Sequence, residues 1–596
     1  LTWNGGVPFG WNSWYAYGTS ISYSNAMAVS SFMKTNLQGT NFVDNGTVYI
    51  NLDSYWDNLS ESQLLAFTSY CHSNGQKCGI YMSPFVYWNT ADAGSNSFIT
   101  GSTYYTWSST YLRTTNGGII KDPNGGIILD GTSPGVRQMN HYVMNYFASH
   151  GFDLVKIDFL SEGAVEGVHY DTNVTTGIQA YNQAMQYILN ENAGRMFLSE
   201  SIAPIFPYQY AHSRRIYCDA AGNINDTMNT MQAVNYGWWL NDRLYQFNDP
   251  DMMKFAGVTA NENQSRLINC VISGTVLLNS DDLVSAAGQN LAQTCLTNAG
   301  INEVARSGVS FRPVEGNTGS GPSTLFVRQD GNTWYVAVFN YTAFAANPSL
   351  NLARMGIAGT YTAVDLWSGA ISTVSGTTWS VSLGAKQAKL FRLGTGNTTA
   401  MGPVSQSTGL GGSVTLSTKA SGTPPFNYVW KKDGVVLNGR NANAFTLNPV
   451  GANDAGIYSV EVTGGSGKVT NSAILTVIQT PLTWAVGDAD WNSTNPASWK
   501  DANAASSAYY DGAALFLNDT TNGGAQITIT ANQWESPGSL TVSNTSKNYM
   551  IQGNGGIAGQ TTALTKTGTG TLILATANSY NGPTTINGGV LQIGNG

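Results

Sequence analysis

The sequence predicts a multidomain chain in which a (β/α)8 barrel over residues 1–305 is followed by an antiparallel β-sandwich over 306–395 and by further β-rich modules to residue 596. Three observations carry this. The length of 596 residues exceeds one compact unit, since domains run to about 100–200 residues each. Over the first half, short apolar runs rich in β-branched and aromatic residues alternate with longer stretches of helical period, the pattern of βα units around a parallel sheet. Beyond residue 306 the pattern changes to two-residue alternation broken by turn residues, the mark of antiparallel sheets.

Eight apolar runs define the barrel strands: Pro8–Trp14, Thr47–Asp53, Cys78–Ser83, Phe152–Phe159, Met196–Ser201, Arg214–Asp219, Arg243–Asn248 and Thr275–Asn279. The stretches Ser60–Asn74, Val136–His150 and Thr175–Glu191 have the apolar spacing of crossover helices. Eight strand–helix pairs in this length favour a closed barrel over an open sheet. Residues 84–131 are too long for a simple βα loop and predict either a lid or an inserted subdomain. The sandwich strands are read at Ser323–Gln329, Thr333–Tyr341 and Gln387–Arg392, and Gly394–Thr399 reads as a linker.

Residues 400–478 resemble an immunoglobulin-like domain, with Trp430 in a strand and Asp454-Ala-Gly-Ile-Tyr458 where a tyrosine corner belongs, although the disulfide cysteines are missing. The region 480–596 is β-rich. Its end, with Leu564–Leu574, Asn578–Ile586 and Gly588–Gly594, resembles the autotransporter-associated β-strand repeat, a bacterial element that implies stacked β-solenoid rungs and attachment at the cell surface. One rung cannot bury its own faces, so the natural chain is expected to continue past Gly596.

Charge narrows the function. Lys and Arg number 27 against 35 Asp and Glu, a net charge of −8, which leaves no cationic surface for a nucleic acid. Only 10% of residues are charged, and Gly alone numbers 67, a balance typical of secreted β-rich proteins. No apolar run reaches the roughly 20 residues of a membrane helix, and the chain begins at Leu1 without methionine, as expected of an exported protein whose signal is removed. The five cysteines and five histidines form no metal-ligand spacing, so neither a metal nor another cofactor is expected. Cys71 and Cys78 could pair only if the fold brings them together.

Catalytic groups of a barrel enzyme sit at the C-terminal ends of its strands. Carboxylates recur there: Asp53, Asp158, Asp219, Asp249 and Asp251. Such a mouth without metal ligands or a phosphate loop suits a glycosidase, in which one carboxylate attacks the anomeric carbon and another protonates the leaving oxygen.

The residues also carry a family resemblance. Val7-Pro-Phe-Gly-Trp-Asn-Ser-Trp14, Ile50-Asn-Leu-Asp53, Gly79-Ile-Tyr81, Val155-Lys-Ile-Asp-Phe159, Arg215-Ile-Tyr-Cys-Asp219 and Asn248-Asp-Pro-Asp-Met252 resemble, in order, the strand-end motifs of the α-galactosidases and α-N-acetylgalactosaminidases, clan D glycoside hydrolases of families 27 and 36. The resemblance covers about residues 1–395. It implies Asp158 as nucleophile and Asp219 as general acid/base, with Lys156 and Asp53 as ligands of sugar hydroxyls and Trp14 as the aromatic wall of the pocket. It adds Asp251 and Met252, and, at neighbouring motif positions, Ser54, Tyr81, Ser201 and Arg215. A shifted alignment would put Asn223 in the acid position, and Asp226 is the next carboxylate to try. Trp14 and Tyr81 also admit a plain reading as core aromatics, and Asp249 one as a turn residue before Pro250.

Two departures bear on the substrate. Ser54 stands where many relatives carry a second aspartate that reads the 4- and 6-hydroxyls. Ser201-Ile-Ala-Pro204 replaces the Cys-Glu-Trp-Pro run that reads the 2-hydroxyl, so a looser 2-position pocket is expected, unless Glu162 or Glu166 reaches across. Glu200 is one residue out of strand phase and should point away. The implied function is a secreted or surface-bound retaining exo-α-galactosidase acting on oligosaccharides or polysaccharides. An α-N-acetylgalactosaminidase, a β-L-arabinopyranosidase and an isomalto-dextranase are the alternatives within the clan, and a non-catalytic carbohydrate-binding or adhesion protein is the alternative of another class.

Overall fold

The computed structural model describes all residues except 90–96, 317, 479–480, 493–497, 503, 521–525, 531–532, 560–561 and 595–596. The first half is an eight-stranded parallel barrel of β1 (Phe9–Asn12), β2 (Tyr49–Asn51), β3 (Lys77–Met82), β4 (Leu154–Ile157), β5 (Phe197–Glu200), β6 (Ser213–Arg215), β7 (Phe247–Asp249) and β8 (Leu277–Asn279). The strands pair in chain order, with β8 beside β1. Between β7 and β8 the ring is nearly closed by Asn248 N–H donating to Gly274 O (2.7 Å) and Val276 N–H donating to Asn248 O (3.1 Å).

Each of the eight sequence runs overlaps a strand, the sixth and seventh by two residues only, and local chemistry starts the crossover helices where the pattern places them. Ser60 caps the helix Glu61–Ser73 and Thr176 caps Gly177–Asn192, each with a reciprocal glutamine at the third position. Pro134 opens Pro134–Ser149, where its missing N–H has no helical partner to lose. One unit departs from the expected repeat. Residues 201–212 join β5 to β6 without a helix, running down the outside of the barrel; Arg214 holds this segment by donating to the carbonyls of Ala203 and Pro204.

The sixth and seventh strands also end differently from their apolar runs. β6 stops at Arg215, so Asp219 stands four residues beyond it on a loop, and β7 extends to Asp249. The described residues of 84–131 form an inserted subdomain. Val86–Tyr87 pairs with Ile127–Ile128, and a separate small core gathers Tyr87, Ile99, Tyr111, Ile127 and Leu129. It leans on the loop after β4, where Val168 N–H donates to Arg113 O (2.7 Å).

The second module is a six-stranded antiparallel sheet containing Leu325–Asp330, Thr333–Phe339 and Ala388–Gly394, packed on the barrel through Phe326, Phe339 and Leu390. Residues 394–399 are not a free linker: Gly394 ends a strand, Thr399 starts another, and Thr398 is buried. In the third module Trp430 is fully buried and donates to Ala442 O (2.8 Å), and the Tyr458 hydroxyl donates to Asp454 O (2.8 Å), closing the tyrosine corner. Val460, two residues after that tyrosine, fills the position of a disulfide cysteine and packs in one core with Leu416 and Trp430.

The last module is a parallel stack longer than the motif suggests. Ala514–Asn518, Ser539–Ser543, Ala563–Thr567 and Thr584–Ile586 pair in sequence on one face, and Gln526–Thr528, Tyr549–Gln552, Thr571–Leu574 and Val590–Ile593 on another. Trp484, Trp491 and Trp499 plug its first end. Among the described residues no helix is long and apolar enough to cross a membrane.

Candidate active site

The ends of β2 and β4 hold the first half of the site. Asp53, just past β2, accepts from Lys156 Nζ (2.9 Å) and from Asn12 Nδ2 (2.9 Å) at one oxygen and from Ser54 N–H (2.8 Å) at the other. Burial raises the Asp53 carboxyl, but the Lys156 charge and these donors outweigh it and hold the group below its usual range. Lys156 is buried, which opposes its charge, yet Asp53 and Asp158 keep it above the usual lysine value. Its ammonium also lies 5.3 Å from the centre of the Tyr81 ring. The buried ion pair is therefore between Lys156 and Asp53, and Asp158 remains outside it.

Asp158 follows β4 directly. Its backbone N–H donates to Met82 O (2.9 Å), and its Oδ1 accepts from Phe159 N–H (2.9 Å). Beside it stands the Tyr81 phenol, which burial together with the charges of Asp158 and Asp53 raises well above the usual tyrosine value. Asp158 is 8% exposed, so one carboxylate is presented at the floor of the mouth with little water around it.

The second half is organised by Arg215, the last residue of β6. Its guanidinium reaches Asp251 (2.8 Å), Asp219 (3.2 Å) and Asp249 (3.7 Å). Burial opposes the charge, and Asp251 with Asp249 more than restores it, so the arginine is held fully ionised. Asp219 is the opposite of Asp158 in setting, with a side chain 77% exposed.

Asp251 is engaged internally. Besides Arg215 it accepts from Tyr15 Oη (3.0 Å), Ala220 N–H (2.8 Å) and Met252 N–H (2.8 Å). Because Ala220 follows Asp219, Asp251 anchors the loop that carries Asp219. Met252 and Ser201 are buried, Arg215 is buried, and Trp14, Ser54 and Tyr81 are half-buried. Asp249 accepts from Asp251 N–H (2.9 Å), the turn role before Pro250, and burial raises its carboxyl despite Arg215.

The alternative acids have other tasks. Asn223 caps the helix Ile224–Gly237 by accepting from Asp226 N–H (3.0 Å), and Asp226 accepts from Ala221 N–H (2.8 Å) and Asn223 Nδ2 (2.8 Å). The Asn-x-x-Asp spacing at a helix start carried that signal in the sequence. Glu200 points outward as its strand phase requires. It is fully buried near Tyr181, Tyr245 and Arg214, and burial pushes it up to about 8. Glu162 is buried beside Asp122 of the inserted subdomain and raised first by that burial, whereas Glu166 is exposed. Of the residues that replace the Cys-Glu-Trp-Pro run, Ala203 is buried with its carbonyl held by Arg214, while Ile202 is exposed.

Sequence reasoning missed Asn12, within the first motif, and Tyr15, just after it, because a donor to a buried carboxylate has no pattern of its own. Four of the histidines pair with carboxylates, such as His169 with Asp130 (3.2 Å). Among the described residues, the group that brings metal-ligating atoms within 4.8 Å of one another is His72, Cys78 and Asp153, at the opposite end of the barrel.

Three family models match parts of the chain: the α-galactosidase C-terminal β-sandwich domain at residues 321–393, the immunoglobulin I-set domain at 400–477, and the passenger-associated transport repeat at 564–593. No curated protein matches the sequence. Among solved structures, a family 27 β-L-arabinopyranosidase from Geobacillus stearothermophilus superposes with a TM-score of 0.53 at 18% identity, covering 66% of this chain and 97% of that one. A protein of Bacillus halodurans described as a candidate α-N-acetylgalactosaminidase gives 0.50 at 18% identity, covering 65% and 97%. The barrel and the sandwich behind it thus share the fold of family 27 glycoside hydrolases, and an I-set domain and a transport-repeat region follow them in the same chain.

Proposed function

We propose that this chain is a retaining exo-glycosidase acting on terminal α-galactosyl or closely related pyranosyl residues of oligosaccharides or polysaccharides. The observation that supports it best is the pair of aspartates at the ends of β4 and β6, one buried and hydrogen-bonded, the other exposed and held by Arg215. In this reading an oxygen of Asp158 attacks the anomeric carbon as the glycosidic C–O bond breaks, and Asp219 gives its proton to the departing oxygen. Water then loses a proton to Asp219, its oxygen bonds to the anomeric carbon, and the ester to Asp158 breaks, restoring both carboxyls. Asp53 and Lys156, with Trp14 and Tyr81, would hold the sugar, and Arg215 with Asp251 would position the Asp219 loop.

Ser54 favours a second reading of the glycone. With one carboxylate fewer at the 4- and 6-hydroxyl region, a β-L-arabinopyranoside, which has the ring of an α-galactoside without its sixth carbon, loses little by comparison. The transport repeat favours an extracellular or surface location. The test is hydrolysis of p-nitrophenyl α-galactoside, β-L-arabinopyranoside, α-N-acetylgalactosaminide and α-glucoside, with the anomer of the first product followed by NMR. A first product of inverted configuration removes the double displacement. Binding of glycans without turnover of any of the four selects the non-catalytic alternative.

A further inference from the structure

Eleven non-glycine residues in the described structure have a positive φ. Most are Asn, Asp, Ala or Lys. The three that are aromatic or β-branched all lie just past barrel strands: Tyr55 (φ 67°) after β2, Phe159 (φ 54°) after β4 and Ile202 (φ 46°) after β5. For bulky side chains this backbone is an outlier, and such strain gathers at functional sites. Each is locked in place. Phe159 N–H donates to Asp158, Tyr55 O accepts from Asn58 N–H (3.0 Å), and Ile202 O accepts from Ser161 N–H (2.6 Å) and Ser161 Oγ (2.8 Å). Glycine or asparagine would hold the same backbone without strain, so the fold alone does not call for these side chains.

The side chains are also open to solvent. Tyr55 and Ile202 are each 45% exposed, and Trp88, on the segment that follows β3, is 41% exposed with its ring 4.7 Å from that of Phe159. Because β2, β3, β4 and β5 are consecutive neighbours, the segments that carry the four residues follow one another round one half of the mouth. The other half, from β6 round to β1, carries Arg215, Asp219, Asp251 and Tyr15. Across the whole mouth the five carboxyls Asp53, Asp158, Asp219, Asp249 and Asp251 face two cations, Lys156 and Arg215.

We propose that Tyr55, Trp88, Phe159 and Ile202 form a stacking platform for the leaving-group sugar of a neutral oligosaccharide; this rests on the glycosidase reading above. Exposed rings offer an apolar surface to the C–H face of a pyranose, while the carboxyl excess disfavours uronic or sulfated units. The platform adds binding outside the glycone pocket, so it selects substrates with a sugar on the leaving side.

The test compares two substrates of one glycone, a glycosyl fluoride whose leaving group is a single atom and an oligosaccharide, in the full chain and in Trp88→Ala and Tyr55→Asn. Asparagine tolerates the left-handed backbone at 55, and Trp88 is exposed, so circular dichroism is expected to show both variants folded. The expected result is a tenfold or larger fall in the ratio of kcat/KM for the oligosaccharide to that for the fluoride. A ratio within twofold of the parent in both variants overturns the proposal. Protection of the exposed Cys218 thiol from alkylation provides a readout without turnover. If the full chain hydrolyses none of the α-galactosyl, β-L-arabinopyranosyl, α-N-acetylgalactosaminyl and α-glucosyl fluorides, the glycosidase reading fails. Protection by oligosaccharide that weakens in Trp88→Ala then still supports the platform, and no protection in the full chain overturns it.

Discussion

Replacing Lys156 with methionine removes a charge and leaves a similar volume, so it tests whether the Lys156–Asp53 pair organises the mouth. The two groups meet at 2.9 Å with side chains 15% and 3% exposed. At an effective dielectric of about 20 their attraction is about 6 kcal/mol, offset by several kcal/mol of desolvation for each ion. Removing one partner strands the other in a buried setting, and such losses run to about 3–5 kcal/mol. Asp53 keeps its bonds from Asn12 and Ser54, which puts the expected loss at the lower end, about 3 kcal/mol. In the parent, the depressed Asp53 contributes stability that is present above the unfolded value of about 3.9 and lost as pH falls through its folded value. The raised Lys156 contributes stability that is present below about 10.4 and lost as pH rises through its folded value. The pair is therefore fully effective between about pH 5 and pH 10. In the variant Asp53 has burial without its cation, so the deficit should grow from pH 4 to pH 7. Urea midpoints of the barrel transition at both pH values, for Lys156→Met, Asp53→Asn and the double variant, measure this. A single-variant loss under about 1 kcal/mol, or a double variant no better than the sum of the singles, refutes the reasoning.

Further outcomes follow from the same geometry. Asp219→Asn should slow hydrolysis of natural glycosides far more than that of activated aryl glycosides, because only the former need a proton on the leaving oxygen; equal losses on both would move the acid elsewhere. Asp226→Ala should cost about 1 kcal/mol of stability through the start of Ile224–Gly237 and leave the leaving-group dependence unchanged. Glu200, raised to about 8, contributes stability that is complete below its unfolded value and lost as pH rises through 8. Glu200→Gln should therefore gain on the parent as pH rises to 9, read as the difference in melting temperature. Cys218 is the exposed thiol of the five and precedes Asp219, so iodoacetamide should modify it first and slow turnover, with product in the mouth protecting it.

The barrel was legible because its signal is repeated: each apolar run is bounded by a crossover pattern, and Ser60 and Thr176 announce helices by their capping boxes. The missing helix between β5 and β6 was not, because eight strand–helix pairs were expected from the repeat as a whole, whereas this segment is held by Arg214 and two carbonyls rather than by its own periodicity. Strand-end carboxylates could be found by position along the chain, but their division of labour could not. Asp251 and Asp53 have the same residue type and location, and only the partners brought in by folding make one an anchor for a loop and the other the mate of Lys156. The solenoid was underestimated for a related reason. Its earlier rungs, such as Ala514–Asn518, keep the two-residue alternation but lack the Gly-Thr signature that marks the last, and it is the buried Trp484, Trp491 and Trp499 that reveal where the stack begins.

Under the proposed mechanism, the contrast in setting between the two aspartates gives a reason for their different roles. A nucleophile needs its lone pair fixed and its water removed; Asp158 is oriented by Phe159 N–H, just past a short strand whose neighbours are packed. A residue that gives a proton to one oxygen and takes one from water needs solvent on its open side, and Asp219 lies at the exposed end of a loop. Arg215 meets Asp251 at 2.8 Å and Asp219 at 3.2 Å, so the loop that carries Asp219 is tied to the barrel through both. Asp251 performs both parts of that arrangement, neutralising Arg215 with one oxygen and pinning Ala220 with the other. Asp251→Asn should accordingly impair the acid-dependent step before the nucleophilic one, so that activity on an activated aryl glycoside outlasts activity on an oligosaccharide. Equal loss on both substrates would mean that Asp251 serves the glycone directly rather than the loop.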